Sequence, residues 1–157
     1  MEIHSNISTR LQYQHKSLLD IIDGLSDEQI RRPVIPGKWS IFENIVHLTV
    51  YQHVFIDRIK KMIAEDTPLF ERYAAENDPL FHDALAKSSH EIMKDLVGTR
   101  KDMFAAFLSF PSAHLVRTGI HPAFGKMNLV QWMNFFLLHE AHHLFTIFKL
   151  SAELRKV

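Results

Sequence analysis

Apolar residues recur at three- and four-residue intervals in four long stretches of this chain, separated by segments that hold the prolines and most of the glycines. That spacing predicts amphipathic helices. The first runs from about Ile3 to Asp23 and sets Ile3, Ile7, Leu11, Leu18 and Ile22 on one face. The second opens at Ser40, where Ser40 and Glu43 form a capping box, and reaches about Glu65. Its seam is Ile41, Asn44, Leu48, Tyr51, Phe55 and Met62. A second box, Ser88 with Glu91, opens the third helix, which reaches about Leu108 with a stripe of Ile92, Met93, Leu96, Val97, Met103, Phe104 and Phe107. The fourth starts at Asn128, with Gln131 at the matching cap position, and ends near Leu154.

The connections are long. Residues 24–39 contain Pro33, Pro36 and Gly37; residues 66–87 contain Pro68 and Pro79, with room for a short helix after Thr67; residues 109–127 contain Pro111, Gly119, Pro122 and Gly125. No segment reads as a strand. Four helices of roughly 20 residues joined in this way predict an all-α four-helix bundle with at least one crossover connection.

Composition narrows the function. A chain of 157 residues fits one domain, spanning 1–157, and is long enough to bury a core. Lys plus Arg and Asp plus Glu both number 18, so the basic footprint of a nucleic-acid binder is absent. There is no Cys, which removes disulfides, thiolate nucleophiles and Cys-ligated metals. None of the five Gly builds a phosphate cradle or a nucleophile elbow. The N-terminus is too polar for a signal peptide, and no apolar run approaches the roughly 18 residues of a membrane span. The expectation is a soluble cytoplasmic protein with a small-molecule ligand and neither a nucleic-acid nor a membrane partner.

The remaining anomaly is 11 His. Only His139 and His143 are spaced i,i+4, and about one such pair is expected by chance, so spacing alone says little. Their position says more. At roughly 100° per residue, Trp132, Phe136, His139, His143, Thr146, Leu150 and Leu154 share one stripe. Two imidazoles therefore occupy a core seam where Leu or Phe would be expected. Buried polar groups need partners, and a shared metal satisfies both rings. His47, on the inner shoulder of the second helix, is the candidate third ligand; His53 points the other way and is read as solvated. Three neutral imidazoles with one open position form a catalytic zinc-type set. Core histidines bonded to carbonyls remain the alternative. His139–His143 also matches H-E-x-x-H, with Glu140 as a protease base, but the third ligand of that pattern is missing.

Helix two reads Trp39-Ser40-Ile41-Phe42-Glu43-Asn44-Ile45-Val46-His47-Leu48, the last connection reads His121-Pro122-Ala123-Phe124-Gly125-Lys126-Met127-Asn128, and helix four contains His139-Glu140-Ala141-His142-His143 followed by Ile147. Together these segments resemble the DinB/YfiT-like superfamily over nearly the whole chain. The resemblance implies an up-down-down-up four-helix bundle. It implies a divalent metal, zinc or nickel, at His47, His139 and His143. It also implies either a metal-dependent hydrolase or a transferase using an external thiol such as bacillithiol, mycothiol or glutathione. Relatives often carry an acidic residue about one turn after the helix-two histidine; Tyr51 and Gln52 stand there in this chain.

The candidate catalytic groups are Glu140, at the edge of the metal-facing arc, and Tyr51, inward-facing near His47. If Glu140 is neither a base nor an acceptor behind the metal ligands, it is a surface carboxylate. Arg100 interrupts the apolar stripe of helix three and either binds a substrate carboxylate or snorkels to the surface. His121 lines the pocket or organises its turn, His142 lies at the rim, and Glu43 is a cap or an outer partner of the site. A second apolar face on helix four (Val130, Met133, Leu137, Leu144 and Phe148) is either central to the fold or a homodimer contact. The bundle would then be an enzyme, a non-catalytic metal- or ligand-binding protein, or a purely structural one.

Overall fold

The computed structural model describes residues 2–156 and forms a four-helix bundle. The long helices are α4 (Ile41–Ala64), α6 (Ser89–Leu108) and α8 (Leu129–Leu154). The fourth member is broken into α1 (Ser5–Tyr13) and α2 (Ser17–Ile22). Short helices α3 (Asp27–Arg31), α5 (Pro79–Leu85) and α7 (Ser112–Leu115) lie in the connections. A hairpin of β1 (Thr118–His121) and β2 (Gly125–Asn128) precedes α8.

All three expected capping boxes form, each with the N-cap side chain accepting from the N3 backbone N–H and the N3 side chain accepting from the N-cap N–H. Glu43 is therefore a cap: its carboxylate accepts from the Ser40 N–H at 2.7 Å. A fourth box, Ser26 with Gln29, starts α3. Helix α4 is central. It packs against α6 and α8, and every residue of its expected seam is buried. In α6 the apolar residues Ile92, Leu96, Met103 and Phe107 are buried, but Val97 is 41% exposed. The inward position one turn beyond Leu96 belongs to Arg100.

The first helix is not continuous to Asp23. Gln14–Lys16 tighten into a 3-10 turn, which brings His15 into the interior and lets the Gln14 amide donate to the Leu137 carbonyl and the Glu140 carboxylate, each at 2.8 Å. Nor does a helix follow Thr67. Leu69 instead bridges Ile120 of β1, and the helix of that connection, α5, starts at Pro79, capped by the Asp78 side chain.

The hairpin corrects the expectation of no strand. Its strands are four residues each, too short for apolar alternation to register. Gly119 is required by space, since a Cβ there would lie 2.7 Å from the Phe70 ring. Arg117, just before β1, donates to the carbonyls of Met62 and Glu65, tying the hairpin to the C-terminal end of α4.

The second apolar face of α8 is largely internal: Met133, Leu137 and Leu144 are buried within this chain. The face left open carries Leu138, Phe145 and Phe148, exposed by 62%, 60% and 53%. Among the described residues no helix is long and apolar enough to cross a membrane.

Candidate metal centre

His47 sits in the second turn of α4, oriented by the capped start of that helix, and His139 and His143 lie one turn apart on α8. Where the helices face each other, one nitrogen from each ring falls within 4.8 Å of the others. The Nε2 atoms of His47 and His139 are 3.1 Å apart. Two imidazoles on one tetrahedral ion, each at about 2.0–2.1 Å, would hold their nitrogens about 3.3 Å apart. The observed separation is within a few tenths of an ångström of that value. The Nδ1 atoms of His47 and His139 are buried and find no partner among the described residues. Among the described residues no carboxylate completes a cluster of this kind with the histidines. The donor set is therefore three neutral nitrogens, which suits zinc, nickel and neighbouring ions.

Burial keeps the rings uncharged. It pushes His47 down to about 4 against an opposing pull from Glu76, and His139 down to about 3, helped by its histidine neighbours. His143 is lowered further, again mainly by burial. Neutral imidazole is the form that ligates a metal.

Aromatic rings wall the site. Trp39 lies 5.1 Å from His47 and 6.2 Å from His143, and Tyr73 lies 5.9 Å from His47. Tyr51 is buried, with its ring 4.4 Å from His139 and its hydroxyl accepting from Arg58 at 3.4 Å. Burial raises the Tyr51 hydroxyl, with Arg58 pulling the other way. Beside His143 a cavity of about 910 Å³ opens, with Trp39, Asn44, Glu76, His142 and Phe148 among its walls. Its size and mixed lining are those of a small-molecule pocket. His142 thus occupies the rim, while His53 is exposed and paired with Asp95 at 3.2 Å.

Three expected site residues lie elsewhere. Arg100 and Glu140 are each 1% exposed and form an ion pair with each other. Arg100 neither contacts the pocket nor reaches the surface. Glu140 is neither a surface carboxylate nor a member of the histidine cluster, because Arg100 and Gln14 occupy its oxygens. His121 serves the hairpin turn: its Nδ1 accepts from the backbone N–H groups of Ala123 and Phe124 at 3.1 and 3.2 Å, and its ring packs on Phe124 and Phe135. It is absent from the cavity wall.

Two residues at the site carried no sequence signal. Glu76, in a 3-10 turn at Ala75–Asn77, faces the cavity and acts electrostatically on His47. Tyr73 stacks on the same ring and donates to Asp78 at 3.0 Å. Both come from the long connection between α4 and α5, where no periodicity reports which side chains turn inward.

A model of the DinB superfamily matches residues 10–147. The chain belongs to the DinB superfamily. YuaE, an uncharacterised protein of Bacillus subtilis (strain 168), is 26% identical over 138 residues, covering 78% of this chain and 83% of that protein. Among solved structures, YfiT from Bacillus subtilis superposes with a TM-score of 0.78 at 19% identity, covering 94% of this chain and 85% of its own. YfiT is described as "a probable metal-dependent hydrolase with an unusual four-helix bundle topology". A second four-helix bundle protein, TT2238, gives a TM-score of 0.65 at 20% identity over 90% of this chain and 94% of its own. At these identities the two structures establish that this DinB-superfamily chain shares their fold.

Proposed function

We propose that this chain is a metal-dependent enzyme in which His47, His139 and His143 hold one zinc or nickel ion, and that a small-molecule substrate approaches through the cavity beside His143. The observation that carries this reading is the convergence of three uncharged ring nitrogens within 4.8 Å, drawn from two facing helices. The shared fold with YfiT, described as a probable metal-dependent hydrolase, supports it.

A bound ion of this kind supplies Lewis-acid chemistry, which makes water or a thiol nucleophilic near neutral pH. The chain's own residues supply the surroundings. Trp39, Tyr51 and Tyr73 exclude water from one side of the histidines. Glu76, on the cavity wall and near enough to His47 to act on its charge, is the carboxylate placed to accept a proton from an incoming nucleophile. The finer activity we propose is transfer of a low-molecular-weight thiol of the bacillithiol, mycothiol or glutathione type. The chain has no Cys, so the thiol comes from outside, and three neutral ligands leave the ion its full charge to favour a thiolate. Hydrolysis is the competing outcome, and parallel assays with a thiol plus an electrophile and with simple esters and amides separate the two.

Elemental analysis of tag-free protein tests the centre itself. Wild type is expected to carry about one zinc or nickel per chain, and His143→Ala to lose most of it, because two protein ligands hold such an ion far more weakly than three. A folded wild type that takes up no metal after loading would overturn the reading.

The exposed face of α8 also supports a homodimer. Leu138, Phe145 and Phe148 share one side of the helix, and Phe148 continues into the cavity wall. Light scattering is expected to give about twice the 18.3 kDa chain mass, falling to the monomer value in Phe145→Glu. A monomer mass in wild type independent of concentration would remove this part.

A further inference from the structure

Two of the three clustered rings have no partner at Nδ1, but the third does. Nδ1 of His143 lies 2.8 Å from Oδ1 of Asn44, a buried residue in the first turn of α4. The other end of the Asn44 amide lies 2.8 Å from the Ser40 carbonyl oxygen. A carbonyl oxygen only accepts, so the group facing Ser40 must be the NH2 of Asn44. A reversed amide would set two acceptors against each other at that distance. The end facing His143 is therefore the Asn44 oxygen, which also only accepts. His143 must then donate from Nδ1. A neutral imidazole carries a single N–H, so the lone pair of His143 is on Nε2. The ring lies among its neighbours, 4.5 Å from His47 and 4.7 Å from His139 between centroids.

We propose that Asn44 is a positioning residue that fixes His143 in the Nδ1–H tautomer, holding its Nε2 lone pair ready for a metal before one arrives. The consequence for metal binding rests on the proposed metal centre; the tautomer itself does not. The device is anchored in the helix cap. The Ser40 side chain closes the capping box with Glu43, and the Ser40 carbonyl orients Asn44. The start of α4 is thereby tied to the middle of α8. Neither His47 nor His139 has such an anchor among the described residues. In the contact between them one Nε2 donates and the other accepts, and nothing at Nδ1 fixes which, whereas His143 cannot change tautomer without losing its bond to Asn44.

The test uses metal-free protein first. Two-bond nitrogen–proton correlation spectra of the histidine rings, assigned with His143→Gln, report which nitrogen carries the proton. Wild type is expected to show Nδ1–H at His143. Asn44→Leu, similar in size but unable to accept, is expected to lose that preference and to weaken zinc binding by about 10- to 100-fold. Asn44→Asp keeps an acceptor facing Nδ1 and is expected to retain the tautomer and the affinity, at a cost in stability because its second oxygen meets the Ser40 carbonyl oxygen. A role for Asn44 in packing alone would leave the His143 tautomer the same in wild type and in both variants. An Nε2–H tautomer in wild type would overturn the proposal, as would Asn44→Leu with tautomer and zinc affinity unchanged. If Asn44→Leu fails to fold, the wild-type spectrum still decides. If wild type binds no zinc yet shows the expected tautomer, the metal reading fails while the role of Asn44 in fixing the ring stands.

Discussion

Arg100→Met is expected to destabilise the fold by about 3–5 kcal/mol, the range for breaking one side of a buried ion pair. At roughly 2–4 °C per kcal/mol for a chain of this size, the melting temperature should drop on the order of 10 °C. The reason is the completeness of the network. Arg100 and Glu140 are each 1% exposed. Nε of Arg100 donates to Gln52 at 2.7 Å, and its terminal nitrogens reach Glu140, the Leu11 carbonyl and His15. Gln14 adds a donor to Glu140 and Gln52 donates to the Leu96 carbonyl. The guanidinium also lies 4.9 Å from the Phe136 ring centre. Methionine fills most of the volume but leaves the Glu140 carboxylate in an interior with one remaining side-chain donor. Glu140→Met strands the guanidinium in the same way. The double variant removes both charges and should lose less than Arg100→Met alone, since two charges taken from water gain little net stability from pairing. Urea denaturation of the four proteins measures this cycle. A loss below about 1 kcal/mol in Arg100→Met would mean that the pair is not the buried contact described.

That network also marks the limit of reading this chain by pattern. Helix starts were legible because a capping box is local: Ser40 with Glu43, Ser88 with Glu91 and Asn128 with Gln131 state their own geometry within four residues. The facing of His139 and His143 was legible for a similar reason, since a straight helix carries its periodicity through them. Arg100 and Glu140 defeat the same method. Arg100 looks misplaced in its stripe and Glu140 stands at the edge of its arc, and only the partner on another helix makes burial of either tolerable. Periodicity along one helix cannot see that partner. The break at Gln14–Lys16 has the same origin, as Gln14 and His15 turn inward to serve the pair. Glu76 and Tyr73 reach the histidines from a connection without regular structure, so their placement depends on the path of the whole loop. The neighbouring Leu138 and Leu137 show the remaining ambiguity: one is exposed and the other buried, and composition alone does not say which face of an apolar helix the fold leaves open.

Metal-free protein is expected to lose stability steeply as pH falls from 6.5 toward 4, and bound zinc to add stability that is greatest at neutral pH and fades over the same range. Burial is the main cause that holds His15 and His47 near 4 and His139 near 3, with Arg100 adding to the effect on His15; His143 is depressed further. In the unfolded chain each imidazole takes a proton near pH 6.5. Between those values the unfolded state binds more protons than the folded state, so stability falls as pH falls. It is fully present above about 6.5. A single histidine contributes at most about 1.4 kcal/mol per pH unit, and solvent reaching the half-buried rings reduces that. Four such groups still give a clear slope, with more than about one proton taken up on unfolding near pH 5.5. The carboxylates of Asp27 and Glu91, lowered by their hydrogen bonds to serine, act only at lower pH and on the exposed surface. Zinc competes with protons for the ring lone pairs, so its benefit should be largest above pH 7 and shrink in parallel with the acid loss. At a thousandfold excess over the dissociation constant it amounts to about 4 kcal/mol. Urea titrations from pH 5 to 7.5, with chelator and with zinc, measure both slopes. His143→Ala should flatten the chelated curve in part and abolish the zinc difference. His15→Gln should flatten the curve while leaving the zinc difference in place, because His15 lies in the Arg100 network and outside the histidine cluster. A chelated wild type whose stability stays level over this range would show that the four histidines are hydrated in the folded chain, and the centre would then be open to water rather than walled by Trp39, Tyr51 and Tyr73.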